Sequence, residues 1–372
     1  MNTRAPVSLY IHVPFCAKKC LFCSFAVAIA QSHRVEDYLC ALEREAKTYQ
    51  GRALNTVYLG GGTPSFLSAL QLERLTKIVR DHFQVSPTAE WTIETNPDGI
   101  DAQKCRTLKI LGFTRVSLGV QSFNDAYLKF LGRTHDRLKS REAFSILRQE
   151  GFDNINVDLM YGFPKQSREE LTADLEEAVA LKSEHVSIYT LTIEPNSRFY
   201  AKQMKLDSDE KLAEDYVAVS EALEKAGLKQ YEVSNFARPG FESRHNQMYW
   251  QGGDYIGLGM GAHSLMANRR FWNVSTLNDY IEKVKSQGHA LEAEEQLPPI
   301  TRLLERLIFG LRMNQGVDPY ILEKELSLPL PADRRKLIDD FVQEGLLEQE
   351  SGFLKATPRG RLVLDEIASR LI

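Results

Sequence analysis

Short β-rich runs alternate with amphipathic helical patterns along the first half of the chain, and this alternation restricts the fold more than any other feature. The runs span residues 9–13, 56–59, 91–94, 115–118, 154–159 and 185–191. Between them lie helix periods such as "LERLTKIVRDHF", in which Leu72, Leu75, Ile78 and Val79 fall on one face. Six such alternations predict an α/β fold: a parallel sheet covered by helices, either doubly wound or part of a (β/α) barrel. At 372 residues the chain is long enough for this domain and a smaller one.

The unusual residues gather where the predicted strands end. The first run leads into Pro14 and a group of cysteines, the second into "GGGTPS", and the third ends at Glu94 before "TNP". The fourth leads into "GVQSF", the fifth into "DLMYGFP" and the sixth into "YTLTIEPNS". In parallel α/β folds the loops at the carboxyl ends of the strands converge, and ligands bind there. Six loops carrying Gly, Glu, Gln, Asp and Cys therefore predict one shared site.

The cysteines set its chemistry. "CAKKCLFCSF" places Cys16, Cys20 and Cys23 at C-x3-C-x2-C spacing, among five cysteines in all. The N-terminal stretch has no signal-like apolar run, and nothing later approaches the roughly 18 apolar residues of a membrane span. A cytoplasmic location is expected, with peripheral membrane association left open. In a reducing compartment such a bunch points to a metal or catalytic site rather than to disulfides. An iron-sulfur cluster is held by thiolates at such loop spacings. Zinc requires a fourth ligand, for which His12 and His33 are the nearby candidates, and bare thiols are the third alternative. Cys40 and Cys105 fall in helical stretches and read as small buried or half-buried hydrophobes.

"GGGTPS" lacks the Gly-Lys-Ser/Thr ending of a phosphate loop, so it reads as a tight strand-to-helix turn whose bare backbone can approach a ligand. Glu94, Gln121, Arg133 and Asp158 singly suit solvated loops or helix caps. Together they suit a zwitterionic ligand bearing a ribose, with Arg133 for a carboxylate and Asp158 for sugar hydroxyls or an amine. A formal net charge of −4 gives no electrostatic basis for nucleic acid as a partner.

With Phe22 before the last cysteine, the motif resembles the signature of radical S-adenosylmethionine (SAM) proteins. "YIHVPFC", "GGGTPS", "ETNP", "GVQSF", "LGRTH", "DLMYGFP", "YTLTIEPNS", "HNQMYW" and "YIGLGMGAHS" then resemble, in order, its coproporphyrinogen-oxidase-like branch. The resemblance implies a partial (β/α)6 TIM-like barrel. It implies a [4Fe-4S] cluster on Cys16, Cys20 and Cys23 whose fourth iron is chelated by SAM. Tyr10 and Phe22 would pack near SAM, Gly61, Gly62 and Thr63 would run along its methionine moiety, and Glu94, Gln121, Arg133 and Asp158 would contact it. Whether a second SAM binds is left open. Within the branch the chain resembles the heme-chaperone group rather than the oxidases. The oxidases carry a further Cys two residues after the third ligand, where this chain has Phe25, and a longer segment before the cluster than the fifteen residues here. "HNQMYW" is associated with the chaperone group.

That group implies heme as cargo and hemoproteins of the respiratory chain as clients, in a monomer or a homodimer. His245 is then the first candidate heme ligand, with Tyr249 and Trp250 to stack on the porphyrin, and His263 the second. Cys or Tyr ligation stays open. Anaerobic porphyrin decarboxylation is the rival activity.

The division expected is a barrel over 1–235, a Gly- and aromatic-rich extension over 236–297, and a C-terminal module over 298–372. The extension, "YWQGGDYIGLGMGAHS", reads as tight turns. In the module, helices precede "GLLEQESGFLKATPRG", which reads as two strands joined at Ser-Gly and then a helix, a mainly α, winged-helix-like order. Both signs of charge mix there, so a packing or protein-contact module is expected rather than a DNA reader.

Overall fold

All six predicted strands form in the structure, a computed structural model that describes residues 6–372. β1 (Val7–Val13) is followed by β2 (Phe15–Cys16) and β3 (Ala28–Ile29), a two-residue parallel bridge that brackets the cysteine loop. β4 (Arg52–Gly61), β5 (Phe83–Thr95), β6 (Arg115–Gln121), β7 (Ile155–Tyr161) and β8 (His185–Thr190) then pair in parallel, each beside its predecessor, with β4 beside β1. A doubly wound sheet would reverse direction at a switch point. This one does not, and its steady progression is that of a partial barrel.

Antiparallel strands extend both edges. β9 (Lys229–Glu232) pairs with β10 (Asn235–Ala237), which pairs with β8. On the other side β11 (Tyr255–Leu258) joins β1 in parallel, and β12 (His263–Met266), β13 (Arg269–Asn273) and β14 (Leu291–Gln296) follow, giving a 12-stranded sheet. The Gly- and aromatic-rich stretch, read from the sequence as tight turns, thus supplies strands.

The two faces of the central strands differ in chemistry. Val116, Leu118 and Val120 of β6, Val157 and Leu159 of β7, and Val186 and Ile188 of β8 are buried in the main apolar core beneath the helices. The alternate residues, Ser117, Asn156, Asp158 and Ser187, form the opposite face, and the register places Ser117 beside Asn156 and Asp158 beside Ser187. Period-two alternation thus gives an apolar outside and a polar inside. The covering helices follow their patterns. Ser68 caps helix Ala69–His82 in a reciprocal box with Gln71, and Leu72, Leu75, Ile78 and Val79 are buried. Cys105 is buried as expected, but Cys40 is exposed and receives an Arg74 Nη2 bond at 3.0 Å. Its helix turns that position outward.

The C-terminal segment has its own apolar cluster, including Leu303, Leu307, Phe341, Leu354 and Ile367. β15 (Leu347–Glu350) and β16 (Phe353–Ala356) form the expected hairpin about Ser351 and Gly352, followed by helices Pro358–Leu362 and Leu364–Leu371. Asn314 ties this segment to β9: its N–H donates to the Tyr231 carbonyl at 2.9 Å and its Nδ2 to the Gln230 carbonyl at 2.7 Å. No helix among the described residues is long and apolar enough to cross a membrane.

Glu45, 2% exposed, joins helix Val35–Lys47 to the extension. It accepts bonds from Gly259 N at 2.9 Å, Tyr280 Oη at 2.7 Å and Asn273 Nδ2 at 2.6 Å. Burial outweighs these bonds and pushes its carboxyl up to about 7. Between pH 4.5 and 7 the folded chain therefore holds a proton that the unfolded chain has lost, so this group's contribution falls as pH rises. Glu45→Gln is expected to remove roughly 3 kcal/mol of that pH-dependent loss, measured by urea unfolding of both proteins at pH 5 and pH 8.

Candidate cofactor and porphyrin site

The cysteine loop is held at its middle by backbone bonds. Leu21 N donates to the Leu131 carbonyl at 2.9 Å, and Phe199 N donates to the Leu21 carbonyl at 3.0 Å. Leu21 and Phe22 pack on a small apolar cluster of Leu131, Met160, Phe163, Leu191 and Phe199. With the loop fixed in this way, Cys16, Cys20 and Cys23 line one cavity of about 950 Å3 over the carboxyl ends of the strands. That is near the upper end of the range for ligand pockets.

The thiols suit a polynuclear centre better than a single ion. Among the described residues, no three His, Cys, Asp or Glu side chains group to hold one metal ion. His12, offered as a fourth zinc ligand, donates Nε2–H to the Ala26 carbonyl at 2.8 Å, and its Nδ1 accepts from Tyr10 Oη at 3.1 Å. His33 is exposed. Burial raises the Cys16 and Cys23 thiols, and neighbouring cysteines raise them further, against the lowering effects of Thr63 on Cys16 and the Phe25 backbone on Cys23. Three thiols on one cavity wall, with Cys16 and Cys23 raised in this way and Arg133 as a shared cationic neighbour, would be favoured as thiolates by further positive charge, which iron would supply. The residues present therefore fit a cluster on these three sulfurs.

Arg133 closes the same end of the cavity. Nη2 donates to Asn96 Oδ1 and to the Gly119 carbonyl, both at 2.7 Å, Nη1 lies 3.5 Å from Cys20 Sγ, and Nε is buried without a partner. No carboxylate is among these partners, which leaves the guanidinium able to take an incoming one. Glu94 Oε1 accepts from Tyr58 Oη at 2.9 Å and Oε2 from Gly61 N at 3.0 Å; burial, then Asp158, raises its carboxyl to about 7. Asp158 accepts from Ser117 Oγ at 2.9 Å and Asn156 Nδ2 at 2.7 Å, and burial still raises it. Gln121 reaches the wall from a left-handed backbone, φ 70°.

The glycine turn is shaped first by the protein itself. Gly61 has φ 107°, and a Cβ there would lie 2.5 Å from His12 Nδ1; one on Gly62 would lie 2.7 Å from the Pro14 carbonyl carbon. Gly61, Gly62, Thr63 and Phe22 all line the cavity. Tyr10 does not: it lies behind Tyr58, ring centroids 6.1 Å apart.

The structure places both histidine candidates away from the cavity wall. His245 is 1% exposed, stacked on Tyr58 with ring centroids 4.9 Å apart. Thr56 Oγ1 donates to Ser8 Oγ, so His245 Nδ1–H donates to Thr56 at 2.7 Å and Nε2 accepts from Tyr249 Oη at 3.0 Å. Burial lowers its pKa to about 3, and no lone pair is left for iron. Tyr249 packs edge-on against Tyr255, and Trp250 packs on Phe309 beneath Arg312. The motif "HNQMYW" is thus a packed joint, and only its Asn246 lines the cavity. His263 is exposed and stacked on Trp272, away from the cavity wall.

Sequence reasoning missed Tyr58, Asn96, Ser117, Asn156, Ser187 and Tyr189 on the cavity wall. For two of them the signal was spacing: Asn96 stands two residues from Glu94, and Asn156 two from Asp158. Arg312 and Arg361, from the C-terminal segment, carry no such signal.

Comparison with known proteins then identifies the chain. Residues 10–178 match the Radical SAM superfamily, and residues 297–363 match the HemN C-terminal domain. The heme chaperone HemW of Bacillus subtilis is 35% identical, aligned over 97% of both chains. The chain belongs to the HemW family of radical SAM proteins. The HemW of Escherichia coli is 33% identical, over 97% of both chains. Among solved structures, coproporphyrinogen III oxidase (HemN) from Escherichia coli matches with a TM-score of 0.87 and 29% identity, covering 98% of this chain and 90% of that one. The family implies a [4Fe-4S] cluster and SAM, which agrees with the three thiols and the open guanidinium.

Two outcomes follow. Replacing Cys16, Cys20 and Cys23 together by alanine is expected to abolish the brown absorbance and the iron and sulfide content of anaerobically reconstituted protein, both measured after desalting. His245→Ala is expected to lower stability by about 2–4 kcal/mol, through a cavity and two orphaned hydroxyls, in urea unfolding. The visible spectrum of added hemin is expected to stay unchanged in that variant.

Proposed function

We propose that the chain is a heme chaperone: it binds heme in the cavity and passes it to hemoproteins of the respiratory chain. Cys16, Cys20 and Cys23 would hold the [4Fe-4S] cluster, with SAM beside it on Arg133, Glu94 and Asp158. The observation that carries this reading is likeness along nearly the full length of chains named heme chaperones. A feature of the site supports it. Phe25, 61% exposed at the cavity wall, stands where the oxidase pattern has a further cysteine, and a phenyl ring neither ligates iron nor exchanges a proton.

A cluster held on Cys16, Cys20 and Cys23 would supply one-electron chemistry to a SAM bound beside it. The chain's own part is to orient that ligand. Arg133 offers its charge and an Nη1–H to a carboxylate, while Glu94 and Asp158 accept from hydroxyls or an amine. The polar floor of Ser117, Asn156 and Ser187 holds Asp158 in place through side-chain bonds.

The second reading is oxygen-independent coproporphyrinogen III oxidation, favoured by the structural match to HemN. Reconstituted protein given dithionite, SAM and coproporphyrinogen III separates the two. The chaperone reading expects no protoporphyrinogen, together with a discrete Soret band near one equivalent of added hemin. Steady turnover to protoporphyrinogen would defeat it.

A further inference from the structure

The cavity reaches well beyond the cysteine loop, and its far wall is built by the C-terminal segment. Arg312 and Arg361 line it together with Leu362, Val363 and Leu364. These two guanidiniums lie on a different part of the chain from Arg133; Asp365 and Glu366 line the same stretch of the cavity, but among the described residues neither forms an ion pair with them.

Arg361 Nη1 donates to a neutral amide, Gln230 Oε1, at 2.8 Å, and the side chain forms no ion pair among the described residues. Arg312 Cζ lies over the Trp250 ring, 4.4 Å from its centroid, which holds the guanidinium in place. Its Nε is buried without a partner. Its nearest acid, Glu232, lies 3.6 Å away and is fully buried. The Asn235 amide and Ser234 N occupy the other Glu232 oxygen, and burial raises this carboxyl, which limits the negative charge it returns to Arg312.

Two cations beside aliphatic side chains form an amphipathic wall. It presents charge for carboxylates and a smooth apolar surface for the carbon skeleton that carries them. A ligand anchored only at the cysteine loop would leave this wall unused. We propose that Arg312 and Arg361 form a second carboxylate-binding subsite that takes the propionate side chains of a tetrapyrrole, with Leu362 and Val363 against the ring edge. This rests on the reading of the chain as a porphyrin-binding protein, and it assigns to the C-terminal segment the recognition of the cargo's acidic side chains.

The test compares hemin with its dimethyl ester, which keeps the ring and iron but removes both carboxylates. Wild-type protein, reconstituted and titrated in one detergent buffer, is expected to bind hemin at least about 10-fold tighter than the ester. Arg361→Gln is expected to weaken hemin by about 10-fold while leaving the ester and SAM unchanged, and Arg361→Lys to recover part of the loss. Unchanged SAM affinity separates loss of the subsite from damage to the fold. Equal affinity of wild type for hemin and ester, or full hemin affinity in Arg361→Gln, would overturn the subsite alone. If hemin fails to bind while coproporphyrin III binds with the same dependence on Arg361, the chaperone reading falls and the subsite stands. If neither porphyrin binds, both are overturned.

Discussion

The structure depends on an inverted division of polarity across its central sheet. A parallel sheet in an α/β protein is ordinarily apolar on both faces. Here the outward residues of β6, β7 and β8 join the main core, while Ser117, Asn156, Asp158 and Ser187 face inward and bond to one another. Such a polar interior is tolerable only when each group finds a partner. The network meets this condition, and a sizeable cavity can then exist without an apolar lining to close it.

The other elements complete that cavity. The cysteine loop covers the carboxyl ends of the strands, fixed by Leu21 between Leu131 and Phe199. The C-terminal segment, tied to β9 by Asn314 and to helix Arg244–Trp250 through Phe309 and Arg312 on Trp250, supplies the far wall. One end therefore carries sulfur and an open guanidinium, the middle carries carboxyls raised toward neutrality, and the far end carries two arginines beside aliphatic side chains. This graded lining suits a charged cofactor and a large amphipathic guest better than two like ligands.

Much of this was legible in the sequence, for identifiable reasons. The six strands were readable because their apolar runs are bounded by glycine, proline and polar loops. Cys16, Cys20, Cys23, Glu94 and Gln121 were readable because they stand at or just after strand ends; Asp158 lies within β7, and Arg133 follows the short helix after β6. What was not legible depends on long-range packing. His245 beside Tyr249 and Trp250 looks like a ligand with stacking partners, yet Thr56 and Tyr58, nearly two hundred residues earlier, take up its Nδ1 and its face, and Tyr249 takes up its Nε2. Strand β11 was hidden because its Gly257, which reads as a turn residue, is demanded by a close neighbour; a Cβ there would lie 2.0 Å from the His263 carbonyl oxygen. Arg312 and Arg361 were invisible because no local pattern reports which distant strand a helix will lie against.

The backbone clasp at Leu21 has a consequence for the life of the protein in the presence of oxygen. It uses only amide and carbonyl groups and a small apolar cluster, so none of its bonds is lost when a sulfur-bound centre disintegrates. The loop's shape is therefore expected to persist without metal, so that reloading its thiols would need metal and sulfide but no rebuilding of the loop.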